Sequence, residues 1–323
     1  MIASGNIAFG RNIAFGNSDG SAKWPDRSDA DALELPTGLT TLNPSLNPSI
    51  YATVVTFSPH PQEYFSGISR PLLTPMVEKT WQLSQLGIQQ LVMLPFDRAL
   101  SALSPQDFVA QILIEGLQAQ RISVGNDFRF GKGRSGDAQG LQAIAAHYNV
   151  PVTRVPLRYE KGDRISSSRI RAALQAGELA EATQLLGRPY TLTGKVVKGQ
   201  QLGRTLGFPT ANLRLPDDKY LPRTGVYSVY VYGAGDDLQD FKPLKGVMNI
   251  GHRPTVNGQS LSVEVHLLDW APALSDNLYG RLLTVSLVGF IRAEKKFESL
   301  DQLQAQISAD CGCALSMLGG GGR

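Results

Sequence analysis

The amino-acid sequence predicts two domains, an α/β domain followed by an antiparallel β-barrel that ends in a helix. The length of 323 residues is sufficient for two domains. Between residues 51 and 187, β-branched apolar runs alternate with helical segments, which is typical of a mainly parallel sheet covered on both faces. From residue 188 onward, short strands are separated by Gly, Pro, Asn and Asp, a pattern that favours an antiparallel barrel.

Local signals place the elements of the first domain. The predicted strands are 53–57, 91–96, 122–124 and 152–157, and the predicted helices are 78–86, 105–117, 138–147 and 166–186 with an interruption at Gly177. Ser104-Pro105-Gln106-Asp107 has the form of a helix start with proline at the first helical position. Gly187-Arg188-Pro189-Tyr190 breaks the helical pattern, so we place the domain boundary between residues 187 and 188.

The second domain, 188–318, contains the predicted barrel. Its strands are expected at 191–198, 226–232, 245–250, 261–269 and 282–290. Ser299 and Gln302 have the spacing of a capping box for a final helix. Residues 17–49, rich in Asn, Ser, Asp and Pro, and the glycine-rich tail 319–323 are predicted to lack regular structure.

Composition narrows the class of protein. A hydrophobic content of 42% and a charged content of 18% are typical of globular domains. The net charge of +3 is too small to indicate a nucleic-acid partner. Apolar runs are too short for a membrane span and the N-terminus lacks a signal-peptide pattern, so we expect a cytoplasmic protein without a membrane partner. Cys311 and Cys313 fit neither a zinc pattern nor a disulfide framework.

The most informative stretch runs from Gly199 to Asn212. Glycines at 199, 203 and 207 allow the backbone to approach a ligand closely, and neighbouring basic residues suit an anion such as phosphate. If the segment after Pro209 is extended, Thr210 and Asn212 point to the same side and offer the hard oxygen ligands that Mg²⁺ prefers. From the residues alone, a glycine-rich hairpin with a capped turn remains an equal alternative.

The strand around Glu264 alternates in polarity. Val263, Val265 and Leu267 point to one face, and Glu264 and His266 point to the other. A solvated polar face would produce the same pattern. A carboxylate on such a face is nevertheless chemically suited to accept a proton from an alcohol.

The stretch 199–212 resembles the phosphate and magnesium motif of riboflavin kinases, and the similarity extends to Gly225-Val226-Tyr227, Asn249-Ile250-Gly251 and 290–297. The resemblance implies that Glu264, in its Val-Glu-Val-His context, is the general base for phosphorylation of riboflavin to FMN by ATP with Mg²⁺. It also implies phosphate contacts from Gly199, Gly203, Arg204, Gly207, Phe208 and Pro209, metal ligands at Thr210 and Asn212, and flavin contacts from Arg292, Glu294 and Phe297. Phe297 could equally be a hydrophobic staple for the last helix.

The first domain, 51–187, resembles the nucleotidyltransferase-like (Rossmann-like) half of bacterial bifunctional riboflavin kinase/FAD synthetases. The similarity rests on 56–61, on Gly-Asn-Asp-Phe-Arg-Phe-Gly at 125–131 and on Ile-Ser-Ser-Ser-Arg-Ile-Arg at 165–171. It implies that nucleotide or flavin is bound by Gly125, Asp127, Phe128, Phe130, Ser166, Ser167, Ser168 and Arg171. A helix N-terminus with hydroxyls and an arginine suits a triphosphate, although the serines also suit a plain helix cap. His60, between two prolines, is not interpreted as a metal ligand.

One segment departs from the family pattern. Gly16-Asn17-Ser18-Asp19-Gly20 resembles the family's lead-in, but the His-x-Gly-His that should follow is absent, and the first histidine of the chain is His60. We interpret residues 1–50 as a divergent or disordered remnant, produced by natural loss or by a reading-frame slip. The chain is therefore predicted to make FMN, with FMN adenylylation to FAD impaired. The alternatives are a non-catalytic flavin- or nucleotide-binding protein and an RNA-binding β-barrel.

Overall fold

The computed structural model describes residues 12–14, 50–199, 202–234, 243–255, 258–268 and 278–319, with the backbone alone for 12–14, 202, 204, 234, 253–255 and 258–260. The chain divides into two compact units, Met1–Arg70 with Thr80–Ile165, and Pro71–Lys79 with Ser166–Arg323. This division differs from the predicted boundary at residue 187, because the two helices before that boundary belong to the second unit. Among the described residues, no helix is long and apolar enough to cross a membrane.

The first unit has the predicted alternation of strands and helices. Its strands are β1 (Asn12–Ala14), β2 (Thr53–Ser58), β3 (Gln90–Pro95), β4 (Ile122–Gly125), β5 (Arg129–Phe130), β6 (Gly136–Asp137), β7 (Val152–Val155), β8 (Tyr159–Glu160) and β9 (Asp163–Arg164). Its helices are α1 (Pro61–Ser66), α2 (Met76–Gln85, in which the division between the units falls), α3 (Arg98–Ala102), α4 (Pro105–Asp107), a π-helix at Phe108–Gly116, a 3₁₀ turn at Lys132–Arg134 and α5 (Ala138–Ala146). The predicted helix 105–117 is thus mostly a π-helix.

The strands of the first unit pair in separate small sheets. Strands β2 and β3 are parallel, as are β4 and β7, while β1 pairs antiparallel with β3. The core beneath them consists of buried apolar side chains from β3, the π-helix and α5, among them Val92, Ile112 and Leu141, each 0% exposed. Helices on a parallel core explain the apolar runs that the sequence shows here.

The second unit is a closed barrel with helices. It contains α6 (Ser167–Ala176), α7 (Leu179–Leu186), β10 (Thr191–Val197), α8 (Leu202–Thr205), β11 (Thr210–Arg214), β12 (Gly225–Ala234), β13 (Leu244–Thr255), β14 (Gly258–Leu267), β15 (Leu282–Arg292) and α9 (Leu300–Gly319). The strand order is β10-β11-β14-β13-β12-β15, and every pair is antiparallel. The predicted antiparallel barrel is confirmed, with β11 as an additional strand.

Helix α9 covers part of the outer face of the barrel. Ser299 Oγ accepts a hydrogen bond from Gln302 N at 3.2 Å, which is the predicted cap of this helix. Ala314 and Leu318 of α9 pack on Val226 and Val247, which are outer-face residues of β12 and β13. The surface that α9 covers therefore borders the outer face of β14, because Val247 lies opposite His266 in the β13–β14 register.

A buried ion pair joins the segment Pro71–Lys79 to the barrel. Glu78 and Lys219 are each 5% exposed, and Lys219 Nζ donates to Glu78 Oε2 at 2.6 Å. Glu78 Oε1 also accepts from Thr193 N of β10 at 3.0 Å, and the Lys219 ammonium lies 4.4 Å from the ring centroid of Tyr190. The second unit thus includes a segment that lies about a hundred positions before the barrel strands in the chain.

Candidate active site

Three strands of the barrel bring polar side chains together on its outer face. In the β11–β14 register, Asn212 lies opposite Glu264 and Thr210 lies opposite His266. In the β13–β14 register, Asn249 lies opposite Glu264 from the other side. Directly opposite residues of an antiparallel pair share a face, with Cβ atoms about 5 Å apart. Glu264 is therefore flanked by two amide side chains.

The predicted alternation of the Glu264 strand is confirmed by burial. Val263 and Val265 are 4% and 1% exposed in the barrel core, whereas Glu264 and His266 are only half-buried. Thr210 Oγ1 donates to Glu264 Oε2 over 3.4 Å, a long hydrogen bond. The structure therefore places the predicted base and the two predicted metal ligands on one surface.

The glycine stretch lies against this surface. A Cβ on Gly199 would overlap the side-chain amide of Asn212, and a Cβ on Gly203 would overlap the carbonyl oxygen of Phe208. Gly207 has φ +83°, a left-handed backbone that favours glycine. Glycine is thus required at positions 199 and 203 because other atoms approach the backbone closely, and at position 207 because of the backbone conformation. The side chain of Arg204 lies outside the described residues.

His266 links the glycine stretch to the strand that carries Glu264. Its Nδ1–H donates to the carbonyl oxygen of Pro209 at 2.8 Å, which fixes the ring tautomer. The ring of Phe208 meets the His266 ring edge to face, with centroids 5.5 Å apart. Sequence reasoning assigned no role to His266, although its alternation with Glu264 already placed it on the same face.

The donor atoms on this face suit a hard divalent cation. Thr210 contributes a hydroxyl and Asn212 an amide carbonyl, and Asn212 is 9% exposed. Within the described ranges there is no cluster of three or more His, Cys, Asp or Glu side chains able to hold a metal by themselves. Such a face suits a divalent cation that retains waters and shares its remaining positions with substrate phosphates.

A cavity of about 550 Å³ opens elsewhere on the second unit. It is lined by Gln175, Leu221, Pro222, Arg223, Thr224, His252, Leu261 and Ala293. The volume lies within the usual range for small-molecule sites, which is about 300–1,000 Å³. On its Arg223 side, the guanidinium lies 4.6 Å from the ring centroid of Phe290 and donates to the carbonyl of Ala176 at 3.0 Å. Apart from the stretch 290–297, no sequence motif indicated this cavity, because its lining residues come from five separate segments of the chain.

Glu294, a predicted flavin residue, is anchored at the edge of the cavity. Its Oε1 accepts from His252 N at 3.0 Å, and its Oε2 lies 3.1 Å from His252 Nδ1. Partial burial alone would raise the pKa of Glu294, but hydrogen bonds from the His252 ring and backbone and from Thr224 outweigh it and lower the pKa. Glu294 is thus held as a carboxylate beside two cavity-lining residues.

The other two predicted flavin residues lie close to each other. Arg292 donates from both Nε and Nη2 to the carboxylate of Asp310 on α9, at 2.7–3.0 Å, and Asp310 is 3% exposed. The Arg292 guanidinium also lies 5.7 Å from the ring centroid of half-buried Phe297. This ion pair fixes the segment that carries Glu294 against the last helix.

The predicted loop of the first unit is ordered by a few side-chain contacts. Asp127 forms an ion pair with Arg164, and both side chains are about half exposed. The Phe128 and Phe130 rings stack with centroids 5.4 Å apart, and Phe130 is buried against Phe108. Phe130 is therefore a core residue, whereas Asp127 and Phe128 reach the surface.

The serine-rich segment belongs to the second unit and is described by itself. Ser166 is the N-cap of α6, where its Oγ accepts from Arg169 N at 3.3 Å, while Ser167 and Ser168 are exposed. Arg171 donates to the carbonyl of Pro71 at 3.1 Å and lies over the Tyr220 ring at 5.5 Å. The helix-cap alternative for Ser166 is thus realised, and it leaves the two following hydroxyls exposed.

His60 is a helix cap. Its Nδ1 accepts from Gln62 N at 3.2 Å, and its own N–H donates to Glu63 Oε2 at 3.1 Å. The Glu63 carboxylate accepts hydrogen bonds from the backbone N–H groups of Arg70 and His60, and these lower its pKa. The lead-in residues 16–20 and the segment 17–49 lie outside the described residues.

Comparison with known proteins gives matches in both halves of the chain. Residues 41–169 match the family model described as FAD synthetase, and residues 186–318 match the one described as riboflavin kinase. A bifunctional riboflavin kinase/FMN adenylyltransferase of Escherichia coli K12 is 44% identical over 80% of this chain and 79% of its own length. The protein of that description from Pseudomonas fluorescens is 38% identical over 82% of each chain.

A solved structure agrees in fold over most of the chain. It is described as a macrolide-efflux protein from Streptococcus pneumoniae, is 31% identical, and has a TM-score of 0.69 over 81% of this chain and 82% of that chain. The riboflavin kinase match begins at residue 186, beside the Gly187-Arg188 break in the sequence.

Proposed function

The chain belongs to the family of bifunctional riboflavin kinase/FMN adenylyltransferases, enzymes of flavin cofactor biosynthesis, and we propose that Glu264 is the base of its kinase reaction. The observation that carries this proposal is the placement of Glu264 on the outer face beside Thr210 and Asn212, with the glycine stretch packed against Asn212. A base, hard cation ligands and a loop suited to phosphate are the parts that phosphoryl transfer from ATP needs.

In the proposed reaction, riboflavin and ATP give FMN and ADP. Glu264 accepts the proton of the terminal ribityl hydroxyl while that oxygen forms its bond to the γ-phosphorus and the bond to ADP breaks. Glu264 reaches the surface from a strand hydrogen-bonded on both sides, by β11 and β13. A base in such a position is preorganised, because the sheet fixes its backbone before substrate binds.

The phosphates of ATP are proposed to lie along the glycine stretch. The contacts come from Gly199, Gly203, Gly207, Phe208, Pro209 and Arg204, and the His266–Pro209 hydrogen bond holds this stretch beside Glu264. Thr210 and Asn212 would hold Mg²⁺ through a hydroxyl and an amide oxygen. Bound there, Mg²⁺ would neutralise charge on the transferred phosphate and on ADP.

The isoalloxazine ring of riboflavin is proposed to occupy the cavity at His252. The volume of about 550 Å³ is adequate for a tricyclic ring. Glu294 contributes an anchored carboxylate at the cavity edge, and Arg292 and Phe297 support the segment on which it lies. Leu261 and Pro222 would contact the ring, and polar groups of Thr224 and His252 would be available to its carbonyl and nitrogen atoms.

For the adenylyltransferase half, we propose that Gly125, Asp127, Phe128 and Phe130 belong to the flavin and nucleotide site, and that Ser166, Ser167, Ser168 and Arg171 bind phosphate. The stacked phenylalanine pair and the exposed hydroxyls at the start of α6 support these roles. We expect both halves to act in the cytoplasm on soluble flavins and ATP.

The purified chain incubated with riboflavin, ATP and Mg²⁺ tests the kinase proposal. Chromatography of the flavins should reveal FMN and an equal amount of ADP, and omission of the divalent cation should abolish both. Riboflavin binding without turnover would favour a non-catalytic flavin-binding protein instead.

A further inference from the structure

Asn249 of strand β13 lies directly beside the proposed catalytic base. It is opposite Glu264 in the β13–β14 register. Its chain neighbours Met248 and Ile250 are 0% exposed inside the barrel, so Asn249 points to the outer face, as Glu264 does. The side chains of Asn249 and Glu264 therefore start about 5 Å apart on one surface.

Gly251 connects this position to the cavity. It is the next outer-face residue of β13, and a Cβ there would lie 2.9 Å from Nδ2 of Asn249. The same Cβ would overlap Oε1 of Glu294, whose other oxygen contacts the cavity-lining His252. Glu264, Asn249, the bare backbone of Gly251 and Glu294 thus follow one another from the base to the cavity edge.

The amide of Asn249 is placed to bind a ligand. On its β12 side it is bounded by Val226, which is buried under α9. Within the part of the chain that the structure describes, the half-buried Asn249 side chain forms no hydrogen bond. The amide is therefore available to a polar ligand that passes over it, whose hydrogen bond would replace one to water.

We propose that Asn249 binds a hydroxyl of the ribityl chain and thereby selects flavins with a polyhydroxylated side chain. This inference rests on the proposed function, in which the ring occupies the cavity and the terminal hydroxyl meets Glu264. The ribityl chain must then cross the surface between them, where Asn249 offers two N–H donors and one carbonyl acceptor. Asn249 is thus a substrate-binding residue, and the missing side chain of Gly251 gives the Glu294 carboxylate and the Asn249 amide room beside each other.

The test compares two substrates in the wild-type protein and in Asn249→Ala. One substrate is riboflavin, and the other is a flavin whose ring carries a 5-hydroxypentyl chain, which keeps the terminal hydroxyl and lacks the others. For riboflavin, kcat/KM should fall by about 3- to 30-fold in Asn249→Ala, the range for one hydrogen bond in a partly buried site. For the hydroxypentyl flavin it should change by less than about twofold, since no such bond exists to lose.

Two further variants make the outcome specific. Lys245→Ala, on the same face of β13 but beyond Val247, should leave the preference for riboflavin unchanged. Asn249→Leu keeps the approximate size of the amide and loses its donors and its acceptor, so it should show the same selective loss for riboflavin as Asn249→Ala if the hydrogen bond, and not the volume, is what matters. Circular dichroism and thermal unfolding establish that each variant is folded.

The rates with the two flavins distinguish an error about Asn249 from an error about the kinase reaction. If the wild-type protein phosphorylates neither flavin, the proposed function is wrong and the inference falls with it. Suppose instead that the wild-type protein phosphorylates riboflavin, and that Asn249→Ala either lowers kcat/KM equally for both flavins or leaves both values unchanged. The kinase assignment then stands, and the role of Asn249 is overturned.

Discussion

The proposed kinase site and the candidate residues of the first unit differ in what holds them in place. Thr210, Asn212 and Glu264 lie on strands whose register fixes which side chains are neighbours. In the first unit, Asp127 and Phe128 lie in a turn between β4 and the two-residue strand β5, and the Asp127–Arg164 ion pair is half exposed. Exposed ion pairs contribute little, about 0–1 kcal/mol, so this turn is held more weakly than the strands.

This contrast predicts which substitutions measure the chemical role of a side chain and which also disturb the positions of its neighbours. A side chain removed from a paired strand leaves the ladder of backbone hydrogen bonds intact, so its loss measures what the side chain itself does. In a turn, the same change also shifts its neighbours.

The two reactions of the family should differ most. Given FMN, ATP and Mg²⁺, the chain should form FAD far more slowly than it forms FMN from riboflavin, because the resemblance implies that two histidines absent here stabilise the adenylyl transition state. Each such donor is worth on the order of 10²–10³ in rate, although the two losses are not simply additive. Chromatography of flavins and a pyrophosphate assay measure both rates.

Equal rates of FAD and FMN formation would contradict this prediction, and would mean that other residues replace the histidines. A chimaera in which residues 17–49 are exchanged for a segment with His-x-Gly-His provides the complementary arm. Gain of FAD formation would establish that the rest of the first unit is competent. The chimaera should leave FMN formation unchanged.

Glu264→Gln should lower kcat for FMN formation by about 10²–10⁴, the usual contribution of a positioned general base. The substitution keeps shape and hydrogen bonding on a paired strand, so riboflavin and ATP affinities should change little. Glu298→Gln, an exposed glutamate before α9, is the matched control and should retain full activity. A near-normal kcat in Glu264→Gln would contradict the assignment and would indicate that Glu264 is only part of a solvated polar face.

The ion pair Glu78–Lys219 should matter for stability rather than chemistry. Lys219→Ala leaves the Glu78 carboxylate buried without its cation, which costs about 3–5 kcal/mol in the free energy of unfolding. The double variant Glu78→Gln/Lys219→Met removes both charges together and should be close to wild type. Urea unfolding monitored by circular dichroism distinguishes them, and equal losses in the single and double variants would contradict the assignment.

The same pair predicts a pH dependence with a definite sign. Burial lowers the pKa of Lys219 to about 8, against the opposing attraction of Glu78. Between about pH 8 and 10.5 the unfolded chain then holds more protons than the folded chain, so this group makes stability rise with pH. Burial raises the pKa of Glu78, so the contribution of Glu78 to stability falls as pH rises from the ordinary glutamate pKa to the raised one. Wild type should therefore gain stability relative to the double variant between pH 8 and 10.

Asn212→Ala should have the smallest of these effects and should act on the cation. The Mg²⁺ concentration for half-maximal kcat should rise about 10-fold, since loss of groups that support a metal site typically costs 10–100-fold in affinity. The riboflavin KM should change less. Arg214→Ala, exposed on the same face of β11, is the control. An unchanged Mg²⁺ titration would assign Asn212 to packing against Gly199 alone.

The sequence predicted local features well because they depend on neighbouring residues. Alternation placed Glu264 and His266 on the face opposite Val263 and Val265, and burial confirms it. The cap at Ser166 and the helix ends at Gly177 and Gly187 are also confirmed, both glycines having positive φ. Features set by distant residues were missed, such as the strand β11, the π-helix at Phe108–Gly116 and the cavity at His252.

By itself, the sequence determined that an α/β domain precedes a barrel, that the stretch 199–212 suits phosphate and a hard cation, and that Glu264 points away from the core. The folded structure was needed to see that Asn212 and Asn249 flank Glu264, that Asp310 binds Arg292, and that Pro71–Lys79 joins the barrel through Glu78. The alternation of polar and apolar residues and the turn residues fix the face of a strand locally. Strand partners and register instead depend on contacts between residues far apart in the chain.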